Sequence, residues 1–306
     1  MRLCAISVDL DEIPNYFAIH GIEPREGGRG ALTAVYDVAV GRLLDFAHEE
    51  GIPLTLFAIG SDLARTDNAE ALRRAHENGH EIANHTLDHR YDLTRLGRAA
   101  IAEQVQGGID AITHAVGERP VGFRAPGYVI TDEVFEVLAE KGFLYDSSVF
   151  PCPAYWATKT AAIGLYRARG RESRSQLDTP NVLRAPIRPY LVGRPYYKRG
   201  TGMLELPVQV TPKLRLPFIG TSLTLAGPTG ARKLADMCVG EPLVNLELHG
   251  IDVLDERDGL DELVAHQPDV RVVKERKLAA LRAVVAALRD AGYAFTTLRE
   301  AASKFV

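Results

Sequence analysis

Short apolar runs and amphipathic stretches alternate along most of the chain. Residues 3–8 form an apolar-rich run of strand length, and residues 32–50 then carry apolar side chains at helical spacing until Gly51. The couplet recurs as a strand at 53–59 with a helix at 69–78 stopping before Gly79, and a strand at 81–84 with a helix at roughly 94–116 stopping at Gly117. A fourth strand at 121–123 precedes a helix N-capped by Thr131 and ended by Gly142, and a fifth follows at 143–145. At about 150–200 the period fails, and a segment rich in Pro, Arg, Tyr and Gly predicts a long irregular excursion over the surface. Order returns with a strand at 204–210, a helix at 229–239, a strand at 243–248, a helix at 272–291 and a last strand at 294–298.

Strands separated by helices imply parallel pairing through right-handed crossovers, and seven or eight such strands suffice to close a barrel. An open doubly wound sheet is the competing architecture. Its first turn should cradle a phosphate with glycines, whereas Asp9-Leu10-Asp11-Glu12 stands there. The 306 residues, 46% hydrophobic and 25% charged, suit one large α/β domain over 1–306, with no internal repeat and an insertion at about 150–200.

A formal net charge of -4 supplies no basic field for a nucleic-acid partner. Cys4, Cys152 and Cys238 are too few and too scattered for a disulfide framework or a metal knuckle. Asp9 arrives before an apolar leader can develop, so the chain as given reads as cytoplasmic. No apolar run reaches the length of about 18 residues that a membrane span needs.

In parallel α/β folds the loops after the strands build the active site. Those loops carry Asp9 and Asp11 after the first strand, His85 and His89 after the third, and Arg124 after the fourth. Asp146 follows the fifth strand and His249 the strand at 243–248. Any one of these has an ordinary structural explanation, but their joint placement at one end of a barrel does not. If 85–89 is helical, four-residue spacing turns both imidazoles to one face, where a small cation can bridge them. Thr86 excludes the zinc-protease motif, which needs Glu directly after the first His. If the first strand continues to Asp11, alternation points Asp9 and Asp11 the same way. A helix N-cap fits that pair poorly, because Ile13-Pro14-Asn15 does not begin a periodic segment. Arg124 beside an active carboxylate would hold it ionised, and His249 is placed either to protonate a leaving amine or to lie buried and satisfied by backbone.

Residues 79–89, Gly-His-Glu-Ile-Ala-Asn-His-Thr-Leu-Asp-His, resemble the second motif of the polysaccharide deacetylases, also called family-four carbohydrate esterases or nodulation-protein-B-like domains. Phe123-Arg124-Ala125-Pro126-Gly127-Tyr128 resembles the third motif, Tyr145-Asp146-Ser147-Ser148 a variant of the fourth without its usual tryptophan, and Leu248-His249 the fifth. The resemblance implies an irregular (β/α) barrel of about seven strands. It implies Asp9 as general base, Asp11, His85 and His89 as metal ligands, Arg124 as the group orienting Asp9, His249 as general acid and Asp146 as the residue tuning it. Gly127, Tyr128 and Leu248 would line the substrate and oxyanion positions. Leu10 separates two aspartates that are adjacent in the commonest first motif, which leaves base and ligand exchangeable.

The implied reaction is hydrolysis of an N-acetyl group on an amino sugar or glycan, with one divalent transition metal, zinc first and cobalt, nickel or manganese as alternatives. A deformylase of a lipid-linked amino sugar and a ring-amide (allantoin-like) hydrolase would use the same site. Tyr190, Tyr196, Tyr197, Lys198 and Arg199 in the excursion leave room for peripheral contact with a membrane-borne substrate. An inactive sugar-binding module would need neither Asp9 nor His249.

Overall fold

In the computed structural model, which describes residues 2–24, 31–170 and 173–305, one sheet organises the chain. The strands are β1 (Arg2–Asp9), β2 (Leu54–Ala58), β3 (Glu81–Asn84), β4 (Gly122–Phe123), β5 (Tyr145–Asp146), β6 (Tyr190–Val192), β7 (Arg199–Glu205), β8 (Leu243–His249) and β9 (Tyr293–Phe295). Their order is β6-β7-β5-β4-β3-β2-β1-β8, with β9 added beside the start of β1. Every pairing is parallel except that of β6 with β7. Residues 206–210 close the gap between β5 and β8 without a regular ladder, through Gln209 N–H to Asn245 O at 3.0 Å and the Asn245 amide to Leu206 O at 3.0 Å. The barrel of seven parallel strands that the alternation predicts is therefore present, and it is irregular at this seam.

Side-chain alternation along β1 explains where the site can form. Cys4, Ile6 and Val8 pack outward into a cluster with Leu43 and Phe46 of α2 (Val40–Glu50) and Val284, Val285 and Leu288 of α8 (Lys274–Asp290). Leu3 and Ala5 point inward with Phe57, Ala83, Tyr145 and Leu204, and α9 (Leu298–Ala302) plugs the bottom. Each large side chain buried this way stabilises the fold by about 1.5–3 kcal/mol. Ser7 and Asp9 continue the inward column to the top, where it turns polar.

Four expectations need correction. The segment at 13–15 does begin a helix, α1 (Ile13–His20), because Glu12 accepts Ile13 N–H at 3.2 Å and Pro14 sits in the first turn, where its missing N–H is harmless. Residues 85–89 are not helical, and Thr86 and His89 hold φ of 70° and 50°. The excursion at 150–200 is not irregular throughout, since it holds a helix, Pro153–Ala168, and β6. That helix escapes the periodic reading because it lies across the surface and buries only Ile163 fully. The helix predicted at 229–239 starts earlier, at Gly220 (Gly220–Cys238), and the kink at Gly227-Pro228 hid its first turns. The other elements agree to within a few residues: α3 (Thr66–Glu77), α4 (Arg98–Val116) and α5 (Asp132–Glu140), the last capped by Thr131 as expected. Hereafter Pro153–Ala168 is α6.

Gly122 in β4 lies flat against the ring of Tyr145, whose hydroxyl donates to the buried Glu81 at 2.9 Å. A methyl group there meets the ring head-on, so Gly122→Ala should lower unfolding free energy by about 1–3 kcal/mol, the range for overpacking. Denaturant unfolding checks this, and a change within 0.5 kcal/mol, roughly the scatter of a neutral surface substitution, would show that the interior there is loosely packed.

Candidate active site

The register of β1 with β8 sets Ser7 opposite Glu247 and Asp9 opposite His249, so four polar side chains share the inward face. Arg124, at the end of β4, reaches this face fully buried. Its Nη1 donates to Asp9 Oδ1 at 2.6 Å, Nη2 to Ser7 Oγ and Ser147 Oγ at 2.9 Å each, and Nε to Ser147 O at 2.8 Å. The guanidinium also lies over the Phe57 ring, 4.2 Å from its centroid. Asp9 is thereby held by one oxygen, while Oδ2 faces His85 Nε2 at 3.9 Å.

Asp11, just past the end of β1, meets both histidines: Oδ1 is 3.3 Å from His85 Nε2 and Oδ2 is 3.2 Å from His89 Nε2. His85 Nδ1 faces Arg124 O at 2.7 Å and His89 Nδ1 faces Asn15 Oδ1 at 3.2 Å. Each acceptor fixes the proton on Nδ1 and turns an Nε2 lone pair inward. Asp11 Oδ1 and both Nε2 atoms are buried with no hydrogen-bond partner, and the ligand atoms of the three residues lie within 4.8 Å of one another. A small divalent cation fits that donor set in number and type. Burial alone would favour a neutral Asp11, but the imidazoles pull its pKa well below the carboxylate range.

The non-helical 85–89 segment is held by its own polar groups. Asn84 Oδ1 accepts Thr86 N–H at 2.7 Å, its amide donates to Val105 O at 3.0 Å, and Thr86 Oγ accepts His89 N–H at 3.0 Å. Gly108 of α4 makes room for the Asn84 amide, which a Cβ there would displace.

His249 has a different partner from the one expected. Its Nδ1 is 2.8 Å from Glu247 Oε1, and its backbone N–H donates to Asp252 at 2.8 Å. Burial would lower its pKa, but Glu247, with Asp11 and Asp9 behind it, raises it well above the usual histidine value. Asp146 instead accepts Ser148 N–H at 2.8 Å and Ser148 Oγ–H at 2.7 Å, and that hydroxyl accepts Ala125 N–H at 2.8 Å. It braces the loop after β4, and the groups acting on His249 are Glu247, Asp11 and Asp9. Leu248 is also corrected: alternation turns it away from Asp9 and His249 into the outer core. Gly127 and Tyr128 do lie at the site, the Tyr128 ring 6.3 Å from that of His249.

Sequence reasoning missed Glu247 and Ser7, although the two-residue alternation applied to Asp9 would have placed both. It also missed Tyr16 of α1, 6.4 Å from His249 between ring centroids, and Tyr91, 4.7 Å from His89. The hydroxyls of Tyr16, Tyr91 and Tyr128 are buried without a hydrogen-bond partner. No spacing rule marks them, because they come from three separate segments, helix α1 and the connections after β3 and β4.

The sequence model of the family described as polysaccharide deacetylase matches residues 34–145, which carry His85, His89 and Arg124. Over residues within that span the resemblance to polysaccharide deacetylases is borne out; Asp9, Asp11 and His249 lie outside it. Among curated relatives, the chain is 37% identical over 101 residues to a chitooligosaccharide deacetylase of Sinorhizobium fredii, covering 33% of this chain and 46% of that protein. It is 37% identical over 114 residues to a peptidoglycan deacetylase-like protein of Gibberella zeae, covering 37% and 33%. The chain spans less than half the length of these relatives. Among solved structures, a candidate polysaccharide deacetylase from Mycobacterium smegmatis superposes with a TM-score of 0.54 at 22% identity, covering 97% of this chain and 93% of that one. A family-four carbohydrate esterase pseudoenzyme from Bacillus anthracis gives 0.51 at 11%, covering 98% and 65%. These likenesses show the fold, the distorted (β/α) barrel of the polysaccharide deacetylases.

Because Glu247 is the acidic neighbour of His249, Glu247→Gln should lower the imidazole pKa clearly, whereas Asp146→Asn should leave it nearly in place. Titration of the His249 ring signals by nuclear magnetic resonance compares the two, and an equal fall in both would restore Asp146 to the tuning role.

Proposed function

We propose that this chain is a metal-dependent N-deacetylase of amino sugars, in which Asp11, His85 and His89 hold the metal, Asp9 is the base and His249 the acid. The observation that carries the reading is the set of three orphaned ligand atoms beside a carboxylate locked by Arg124. The names of the curated relatives support the choice of an N-acetyl sugar. One carboxylate and two imidazoles suit zinc, which when bound supplies Lewis acidity toward the amide carbonyl and lowers the pKa of water.

The protein groups then have separable tasks. Asp9 takes a proton from the attacking water on Oδ2, the oxygen that Arg124 leaves free, and Arg124 keeps the carboxylate charged and aligned. The water oxygen bonds to the acyl carbon, the carbon–nitrogen bond breaks, and His249 Nε2 passes its proton to the departing amine. Glu247 holds the other ring nitrogen, which keeps the imidazole protonated and oriented. Tyr16, Tyr91 and Tyr128 wall the site and offer three unused hydroxyls to a polar ligand. An inactive binder has no need of a locked carboxylate on one side and a carboxylate-paired imidazole on the other.

Substitution separates the roles. His89→Ala should abolish both metal binding and acetate release from N-acetylglucosamine oligomers; equal metal content in mutant and parent by elemental analysis would overturn the ligand assignment. Asp9→Asn should keep the metal while kcat falls by roughly 10² to 10⁴, the usual contribution of a positioned proton acceptor. Asp11→Asn should weaken metal binding first and recover part of its rate at high metal. Rescue of Asp9→Asn by excess metal, without rescue of Asp11→Asn, would exchange the two roles.

A further inference from the structure

The helix α6 crosses the top of the barrel as a strap anchored at both ends. At its start Cys152 Sγ caps Tyr155 N–H at 3.4 Å and contacts Arg215 O at 3.3 Å. Near its end the Tyr166 hydroxyl lies 2.8 Å from His20 Nδ1 on α1, and the chain beyond docks on α1 through Ser173 Oγ–H to Ile19 O at 2.7 Å and Arg174 N–H to Ala18 O at 3.2 Å. Between these anchors Tyr155 packs on Tyr128, ring centroids 5.8 Å apart, and Lys159 points down at the loop after β4.

Lys159 is chemically incomplete as it stands. Its ammonium has three N–H donors, and one donates to Gly127 O at 2.9 Å. Its other neighbour is the Tyr155 ring, 5.4 Å from Nζ to centroid. Asp178 is the carboxylate whose charge reaches it, and it holds the Tyr196 hydroxyl at 2.7 and 2.8 Å without forming an ion pair with Lys159. Lys159 forms no ion pair among the described residues. It adjoins the site directly: a Cβ on Gly127 would sit 3.5 Å from Lys159 Nζ and 3.2 Å from the ring of Tyr91, which packs on His89. Lys159 thus stands at the edge of the candidate site, beside the Gly127 loop and Tyr91, with two of its three N–H donors uncommitted.

Resting on the deacetylase reading, we propose that Lys159 recognises an anionic group, a carboxylate or a phosphate, carried by the N-acylated sugar. A neutral sugar offers the Lys159 ammonium only hydroxyl acceptors, whereas an acidic sugar supplies an ionised one in a partly desolvated place, where charge-assisted hydrogen bonds are roughly twice as strong. Burial holds the Lys159 pKa down at about 8, outweighing the opposing pull of Asp178.

Glucosamine, glucosamine 6-phosphate and muramic acid are not turned over, so isothermal titration of the intact protein measures recognition apart from catalysis. At pH 7, a pH chosen to lie about one unit below the Lys159 value and so keep the ammonium charged, the parent should bind one or both acidic sugars about tenfold or more tighter than glucosamine, the value of one hydrogen bond to a charged group. Phosphate and carboxylate are distinguished by which of the two gains. Lys159→Met should bring that ratio toward one, Lys159→Arg should keep most of it, and in the parent the ratio should fall as pH rises through about 8. No preference in the parent, or a preference unchanged in Lys159→Met, overturns the proposal and leaves Lys159 as a latch between α6 and Gly127. Turnover of N-acetylglucosamine oligomers, N-acetylglucosamine 6-phosphate and N-acetylmuramic acid by metal-loaded protein is scored separately. If none is hydrolysed the deacetylase reading falls, while the binding ratio still decides what Lys159 does.

Discussion

An arginine with no exposure to solvent must find every partner inside the barrel, and Arg124 draws its partners from strands on opposite sides. Ser7 and Asp9 come from β1, Ser147 from the end of β5, and Asn245 of β8 donates to the same Ser147 hydroxyl at 2.9 Å. Asn245 also donates to Leu206 O and Pro207 O, in the segment that closes the barrel where the ladder fails. Closure of the seam and alignment of Asp9 are therefore the work of one network. Removing one member of a buried ion pair of this kind costs about 3–5 kcal/mol, because the other charge is left stranded. Folding and catalytic geometry cannot be tuned independently at this point.

The charge balance of the inward face leads to the same place. Asp9, Asp11 and Glu247 share this face with Arg124 and His249, and Asp11 lies between two imidazoles whose buried Nε2 atoms make no hydrogen bond. An apolar core would tolerate none of this, since each unpaired buried polar atom costs on the order of 1–3 kcal/mol. The three orphaned atoms converge on one point. A cation at that point relieves all three at once, which ties the cost of the arrangement to a function.

What could be read in the sequence was whatever local periodicity encodes. The strands before Asp9, His85, Arg124 and His249 were legible because each is short, apolar and followed by a helical pattern, and that before Asp146 because it follows a helix stopped at Gly142, so the end of the barrel holding the site was legible too. Two kinds of feature were not. The partner of His249 was read from the resemblance as Asp146, although Glu247 lay two residues upstream on the same strand face. The helix α6 was invisible because its hydrophobic pattern answers to a neighbour built from distant loops, with Trp156 donating to Asp178 O at 3.1 Å and Tyr166 meeting His20. Thr86 and His89 show the converse: the spacing did bring two imidazoles together, but through left-handed backbone that Asn84 and Thr86 hold, not through a helical turn.

The site consequently has two layers with different physical origins. The groups assigned to bond making and breaking stand on strand ends or on loops pinned by buried hydrogen bonds, where rotamers are locked by packing. The groups that would meet the rest of a ligand, Tyr155 and Lys159, come from the strap, which buries little apolar surface and is held chiefly by hydrogen bonds to its neighbours. Elements held in that way open at lower free energy than the core. Entry of a ligand past α6 therefore need not disturb Asp9, Arg124 or the Asp11, His85 and His89 cluster. A change of ligand preference through the strap is accessible to this fold without loss of the chemistry beneath it.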